Sequence, residues 1–330
     1  MWWPLSLPNC FINPNIFFTT LSFTAILERS SVIISGASGP GTPALVFLHG
    51  LGADQASWRL LVPHFAADYQ VIQFDLVGAG SSQFSQYSRE RHGSLAGHAT
   101  DLLDVLRALG LTGAMFVGHS IGAMIGVLAA VREPARFARL VLLAPSPRFL
   151  NGRDYASGFE AADVEELLTS LENNQHEWAQ SFAPMAVGDA NRPDLIMALS
   201  NSFASTNPDV LRHLARMAFF NDSRLALPLL TTPALIVQPA RDVMVPLGVG
   251  YYLNEQLPDS QLVIIDTNGH FPHLTAPEAT LAAIGRFLDC KLAVPAGGAT
   301  DWTVPGRVAS LAGSRLAMPP GPLPRFTAAG

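Results

Sequence analysis

The stretch "FVGHSIGAM", residues 116–124, sets one serine between two glycines, where an apolar run gives way to a run of small residues. Gly118-His119-Ser120-Ile121-Gly122 fits the pattern G-x-S-x-G, and its chemistry depends on the elements around it. On the N-terminal side, "AMFV" (114–117) reads as a buried strand, and Ala123, Gly126, Ala129 and Ala130 beyond it read as the close-packing face of a helix. A tight turn from strand to helix would force Ser120 into a strained backbone conformation and leave its Oγ exposed above a sheet. The flanking glycines are then required, because side chains there would collide with the adjoining strand and helix. The amide of Ile121, at the start of that helix, would face any oxyanion formed at Ser120.

Outward from this turn, the chain alternates short apolar runs with amphipathic stretches, as in a mostly parallel sheet covered by helices. The predicted strands are "SVIIS" (31–35), "ALVFL" (44–48), "QVIQFD" (70–75), "AMFV" (114–117), "RLVLLA" (139–144), "ALIVQ" (234–238) and "QLVIID" (261–266). Ahead of Ser120, Leu95, Ala99, Leu102, Leu103 and Leu106 share one helical face, with Ser94 placed to cap the start and Gly110 to end it. Between "RLVLLA" and "ALIVQ" the patterns are helical, as in "DVEELLTSLENNQHEWAQSFA" and "PDVLRHLARMAFF", and this insertion reads as a helical cap over the sheet. No internal repeat is visible.

A serine hydroxyl is a weak nucleophile at neutral pH, so it needs a base, and the base needs an orienting acid. In a parallel sheet with its nucleophile on such a turn, the acid and the histidine follow later strands, in the chain order Ser, Asp, His. Asp242 stands just beyond "ALIVQ" and His270 just beyond "QLVIID", so Ser120, Asp242 and His270 form the candidate triad. Asp266 precedes His270 by too few residues to cross behind its imidazole, and a turn-capping role suits it better. His273 is the rival base, set beyond the turn by Pro272. His119 is assigned to packing or support next to the nucleophile. His49 lies in "FLHGLG" (47–52), where the amide of Leu51 is the natural second oxyanion donor. Asp75, in "FDLVGAGSS", resembles an acid after a strand, but its glycines argue for a structural turn. The glycines of "GPGTPALVFLHG" precede the strand rather than follow it, so there is no dinucleotide fingerprint.

Composition narrows the function classes. A chain of 330 residues with 49% hydrophobic content can bury a large core, and a net charge of −6 offers no field for nucleic acid. Cys10 and Cys290 are the only cysteines, neither a disulfide framework nor a metal-ligand spacing, which fits a cytoplasmic protein. Residues 1–25 lack the basic start of a signal peptide, are broken by Pro4, Pro8 and Pro14, and read as an extension outside the core rather than a membrane segment. Residues 291–330, rich in Pro, Gly and Ala, read as a disordered tail. The expected core is 26–290, with the helical insertion at about 146–230.

Over that core the chain resembles the RsbQ-type α/β-hydrolases, bacterial stress-signalling proteins related to plant strigolactone and karrikin receptors. The resemblance is carried by "HGLGADQASW" (49–58), "VGHSIGAMIGVLA" (117–129), "APSPRFLNGRDYASGFE" (144–160), "FAPMAVG" (182–188), "AFFNDSR" (218–224), "RDVMVP" (241–246) and "GHFPHL" (269–274). It implies an α/β-hydrolase fold, the triad Ser120, Asp242 and His270, and a V-shaped four-helix lid made by the insertion. It also implies a pocket lined by Leu51, Phe149, Phe159, Leu167, Phe182, Phe219 and Met244. Where many relatives carry an aromatic residue after His-Gly, this chain has Leu51, which is expected to widen the pocket. Such a site suits a small, mostly hydrophobic ester, lactone or related carbonyl compound, with no metal or organic cofactor. The resemblance further implies a protein partner, a PAS-domain PP2C-type phosphatase regulator. A metabolic esterase or lactonase without a partner is the alternative.

Overall fold

The structure, a computed structural model, describes residues 20–289 and 303–304, the backbone alone for 20–24 and 303–304. Its centre is an eight-stranded sheet of β1 (Ile33–Gly36), β2 (Ala44–Leu48), β3 (Gln70–Phe74), β4 (Ala114–His119), β5 (Phe137–Leu143), β6 (Ala234–Arg241), β7 (Ser260–Asn268) and β8 (Thr303–Val304), in the order β1-β3-β2-β4-β5-β6-β7-β8. The strands from β3 to β7 pair in parallel, and β1 and β8 close the two edges antiparallel. All seven predicted strands are present. The inner ones read as unbroken apolar runs because both faces of the sheet are buried there, whereas Ile33 and Ile34 of the edge strand β1 are exposed. Along β2, for example, Val46 and Leu48 face one core, while Leu45 and Phe47 face the other with Trp58 and Phe65.

The helices among the described residues are α1 (Thr20–Arg29), α2 (Arg89–His92), α3 (Leu95–Ala108), α4 (Ile121–Arg132), α5 (Ala161–Asn173), α6 (Gln175–Val187), α7 (Pro193–Ser205), α8 (Pro208–Phe220), α9 (Leu247–Gln256), α10 (Pro272–Thr275) and α11 (Pro277–Leu288). The apolar stripe of α3 is buried as its spacing requires, and Gly110 follows its end with φ +66°. Ser94 occupies the N-cap position, but its side chain makes no capping hydrogen bond. None of these helices is long and apolar enough to cross a membrane.

The insertion between β5 and β6 folds as α5 to α8. The run "DVEELLTSLENNQHEWAQSFA" is not one helix, because Asn174 ends α5 in an extended conformation and its side chain accepts from the Glu177 amide to start α6. Two expectations at the ends need correction. The boundary expected at residue 25 falls inside α1, whose Arg29 pairs with Asp101. The tail expected at 291–330 contains β8, which pairs with β7. Cys10, Cys290 and the remainder of both terminal segments lie outside the described residues.

Candidate active site

The strand order turns back on itself at β2, whose neighbours are β3 and β4, so the loops after β2 and β4 diverge and leave a crevice at their carboxyl ends. Ser120 sits there, between β4 and α4, with φ 54° and ψ −119°, a conformation that non-glycine residues rarely adopt. The turn is tight enough that a Cβ on Gly118 would stand 2.6 Å from the Ala123 Cα, and one on Gly122 would stand 2.4 Å from the His49 carbonyl oxygen. These contacts make both glycines of the motif obligatory. The Ser120 amide donates to the Leu143 carbonyl at 2.9 Å, tying the turn to the neighbouring strand.

Asp242 and His270 reach Ser120 from the loops after β6 and β7. The Ser120 hydroxyl donates to His270 Nε2 at 2.8 Å, and His270 Nδ1 donates to Asp242 Oδ2 at 2.7 Å. The second carboxylate oxygen, Oδ1, accepts from the Met244 amide at 2.8 Å and the Val245 amide at 3.1 Å, which fixes the plane of the carboxylate. Gln238 holds this loop from below by donating to the Val245 carbonyl at 2.7 Å. All three members of the chain are buried, with Ser120 at 4%, Asp242 at 7% and His270 at 6% exposure. The arrangement can move a proton from a hydroxyl to an imidazole backed by a carboxylate.

The other titratable candidates occupy different positions. Asp266 lies in β7 and pairs with Arg241 on the surface at 2.7 Å rather than capping a turn. His273 stacks on Trp58 with ring centroids 4.6 Å apart, and burial lowers its pKa to about 3. It is therefore held neutral, away from the serine's hydrogen bond. His119 donates from Nε2 to the His270 carbonyl at 2.7 Å, and burial holds its pKa well below the usual imidazole value. Asp75 is structural: it accepts from the amides of Gln55 at 2.9 Å and Ser81 at 2.8 Å. His49 accepts from the Leu76 amide at 3.0 Å and so joins the loops after β2 and β3.

Leu51 and Ile121 both border the cavity over Ser120, and Ile121 is the first residue of α4, where a helix leaves amides without internal partners. Phe149, Phe182, Phe219 and Met244 also line the cavity. Phe159 and Leu167 do not. Phe159 stands behind Phe219 and Phe149, its ring centroid 5.7 Å from the first and 6.4 Å from the second, and Leu167 is buried within the inserted helices. The cavity measures about 30 Å³. Phe203 narrows it, a residue that sequence reasoning missed along with Ala186, Ala218 and Phe271. The available signal was Gly52: a Cβ there would stand 1.7 Å from the Phe203 ring, so this glycine marks where the ring rests.

A model of the alpha/beta hydrolase fold family matches residues 43–277. Strigolactone esterase RMS3 of Pisum sativum is 40% identical over 256 residues, covering 77% of this chain and 94% of that protein. Karrikin insensitive 2 receptor CA of Petunia hybrida is 35% identical over 257 residues, covering 78% and 95%. Among solved structures, a hydrolase from Oleispira antarctica superposes with a TM-score of 0.78 at 34% identity, over 82% of this chain and 98% of that one. With its strand order, its serine turn and these relatives, the chain belongs to the alpha/beta hydrolase fold family and is a hydrolase.

Proposed function

We propose that the chain is a serine hydrolase of small, mostly hydrophobic esters or lactones, acting in the cytoplasm as an RsbQ-like signalling hydrolase. The observation that carries the chemistry is the continuous hydrogen-bonded chain from Ser120 Oγ through His270 to Asp242. As Oγ attacks the substrate carbonyl, His270 Nε2 takes its proton, and Asp242 holds Nδ1–H and offsets the positive charge. The amides of Leu51 and Ile121 stabilise the oxyanion. His270 then protonates the leaving alkoxide, leaving an acyl group on Ser120. Water, deprotonated by His270, attacks the acyl group and releases the acid and the free serine. The apolar lining of Phe149, Phe182, Phe219 and Met244 favours uncharged substrates.

A fluorophosphonate should label Ser120 covalently, and Ser120→Ala should lose both labelling and ester hydrolysis. Hydrolysis that survives in Ser120→Ala removes the mechanism. The signalling role is supported by relatives named for both an esterase and a receptor. Its partner is proposed to be a PAS-domain PP2C-type phosphatase regulator that docks on the outside of α5 and α8. Glu165 and Arg216 form an exposed ion pair across these helices at 2.9 Å. Glu166 and Arg212 are also on these helices. Substituting Glu165, Glu166 or Arg212 should lose the partner in a pull-down while ester hydrolysis persists, and Ser120→Ala should do the reverse. If these changes leave the stress response untouched, the metabolic esterase reading replaces the signalling one.

A further inference from the structure

The space over Ser120 leaves no room for a bulky group beside the reacting ester. One enclosed water needs about 10–15 Å³, so a cavity of about 30 Å³ holds roughly two waters and no ring-sized substituent. A second cavity, of about 140 Å³, lies directly alongside, between α7 and the loop that follows β2. The two share Phe271 as a wall. Phe203 lines only the first: its ring rests on Gly52, and Gly52 and the adjacent Ser202 line the second cavity. Gly52 has φ +70° and a ring in the place of its side chain, so both the backbone and the available space reserve this position for glycine.

The lining of the second cavity is mostly apolar: Ala53, Leu195, Leu199 and Leu274 stand there together with Asp54, Ser57, Arg59 and Ser202. The Asp54 carboxylate accepts from the Ala56 amide at 2.8 Å, and the Arg59 guanidinium donates to the Ala56 carbonyl at 3.3 Å. An apolar cavity of about 150 Å³ is known to take a benzene-sized guest.

We infer that this cavity is a second compartment of the substrate site, taking one compact, uncharged ring or branched short chain remote from the reacting carbonyl. Displacement of the Phe203 ring from Gly52 would extend the space over Ser120 toward the second cavity, which Gly52 lines. The ring meets Trp178 and Phe182 edge-on, at centroid distances of 5.0 Å and 5.5 Å, so it swings against aromatic neighbours rather than into a charged or hydrogen-bonded wall. The substrate class becomes specific: small esters or lactones carrying a single ring-sized apolar group. This rests on the hydrolase reading above.

The test compares methyl acetate, which lacks the remote group, with benzyl acetate and methyl phenylacetate, which carry it on opposite sides of the ester. Ala198 lines the second cavity from the exposed side of α7, so Ala198→Phe fills it without approaching Ser120. The expected result is a rise of about tenfold in KM for one of the aryl esters, with KM and kcat for methyl acetate unchanged. Phe203→Leu, which removes the ring packed on Gly52, should lower KM for that same ester; if it does not fold, Ala198→Phe decides alone. Wild-type KM values for both aryl esters in Ala198→Phe, an equal change for methyl acetate, or wild-type turnover of methyl acetate alone overturns the second compartment. The hydrolase reading fails separately, by the absence of any Ser120-dependent hydrolysis, and takes this inference with it.

Discussion

Ser120 occupies a backbone conformation with φ 54° that costs on the order of 1–3 kcal/mol, and the fold sustains it because β4, β5 and α4 leave the chain no other path. Function and stability therefore oppose each other at this residue. Ser120→Gly, free of a Cβ at positive φ, should be inactive yet more stable than Ser120→Ala by about 1 kcal/mol in urea unfolding. Asp242→Asn should keep the fold and lose roughly ten-thousand-fold in kcat, because the amide no longer selects the imidazole tautomer that accepts from Ser120. Buried histidines set the response to acid. Burial, and then the neighbouring histidines, lower the pKa of His98 and of His273 to about 3. Unfolded, each binds a proton below about 6.5; folded, it does not until about 3, so stability is complete above pH 6.5 and falls as the pH drops through that window. Each contributes at most about 1.4 kcal/mol per pH unit. Neither ring nitrogen of His98 has a hydrogen-bond partner among the described residues, so His98→Leu should unfold with a shallower loss of stability between pH 7 and 5.

At the scale of elements, the inserted helices are built into the reaction centre as well as placed above it. The His270 amide donates to the Ala186 carbonyl of α6 at 2.8 Å, and a Cβ on Gly269 would stand 1.8 Å from the Val187 carbonyl oxygen. The loop carrying the imidazole thus lies flat against the end of α6. Gly269→Ala, at φ +81°, must push that loop away, and a displacement of about 1 Å should cost on the order of a hundredfold in kcat. Gly248→Ala is the control, since nothing lies within 4 Å of its would-be Cβ in α9, and it should leave kcat unchanged. The strands themselves were legible because apolar runs of strand length between glycine- and proline-rich turns admit few other readings. The break between α5 and α6 was not, because the apolar periodicity continues through Asn174 and only the cap geometry shows that the helix stops there.

Across the whole molecule, Arg29 of the N-terminal helix is fastened to the body through two carboxylates of α3, Asp101 and Asp104. Asp101 of α3, its side chain 4% exposed, accepts from Arg29 of α1 at 3.0 Å, from Arg91 of α2 at 2.6 Å and from His92 at 2.9 Å. Asp101→Ala would leave the buried His92 Nε2 without its acceptor, while Asp104 still pairs with Arg29 and Arg91, and should cost about 2 kcal/mol in urea unfolding. Asp194→Ala, which breaks an exposed pair with Arg192, should leave the urea midpoint nearly unchanged. The sequence by itself determined the parallel sheet, the serine turn and the order Ser120, Asp242, His270, because each rests on local patterns: apolar runs, glycines at a forced turn, and polar residues just past strand ends. Only the tertiary structure decided that Phe159 and Leu167 stand back from the cavity, that Phe203 closes it on Gly52, and that Asp101 and Asp104 fasten α1. These contacts join residues far apart in the chain, and which side chain meets which depends on how the helices cross, a quantity that no local pattern encodes.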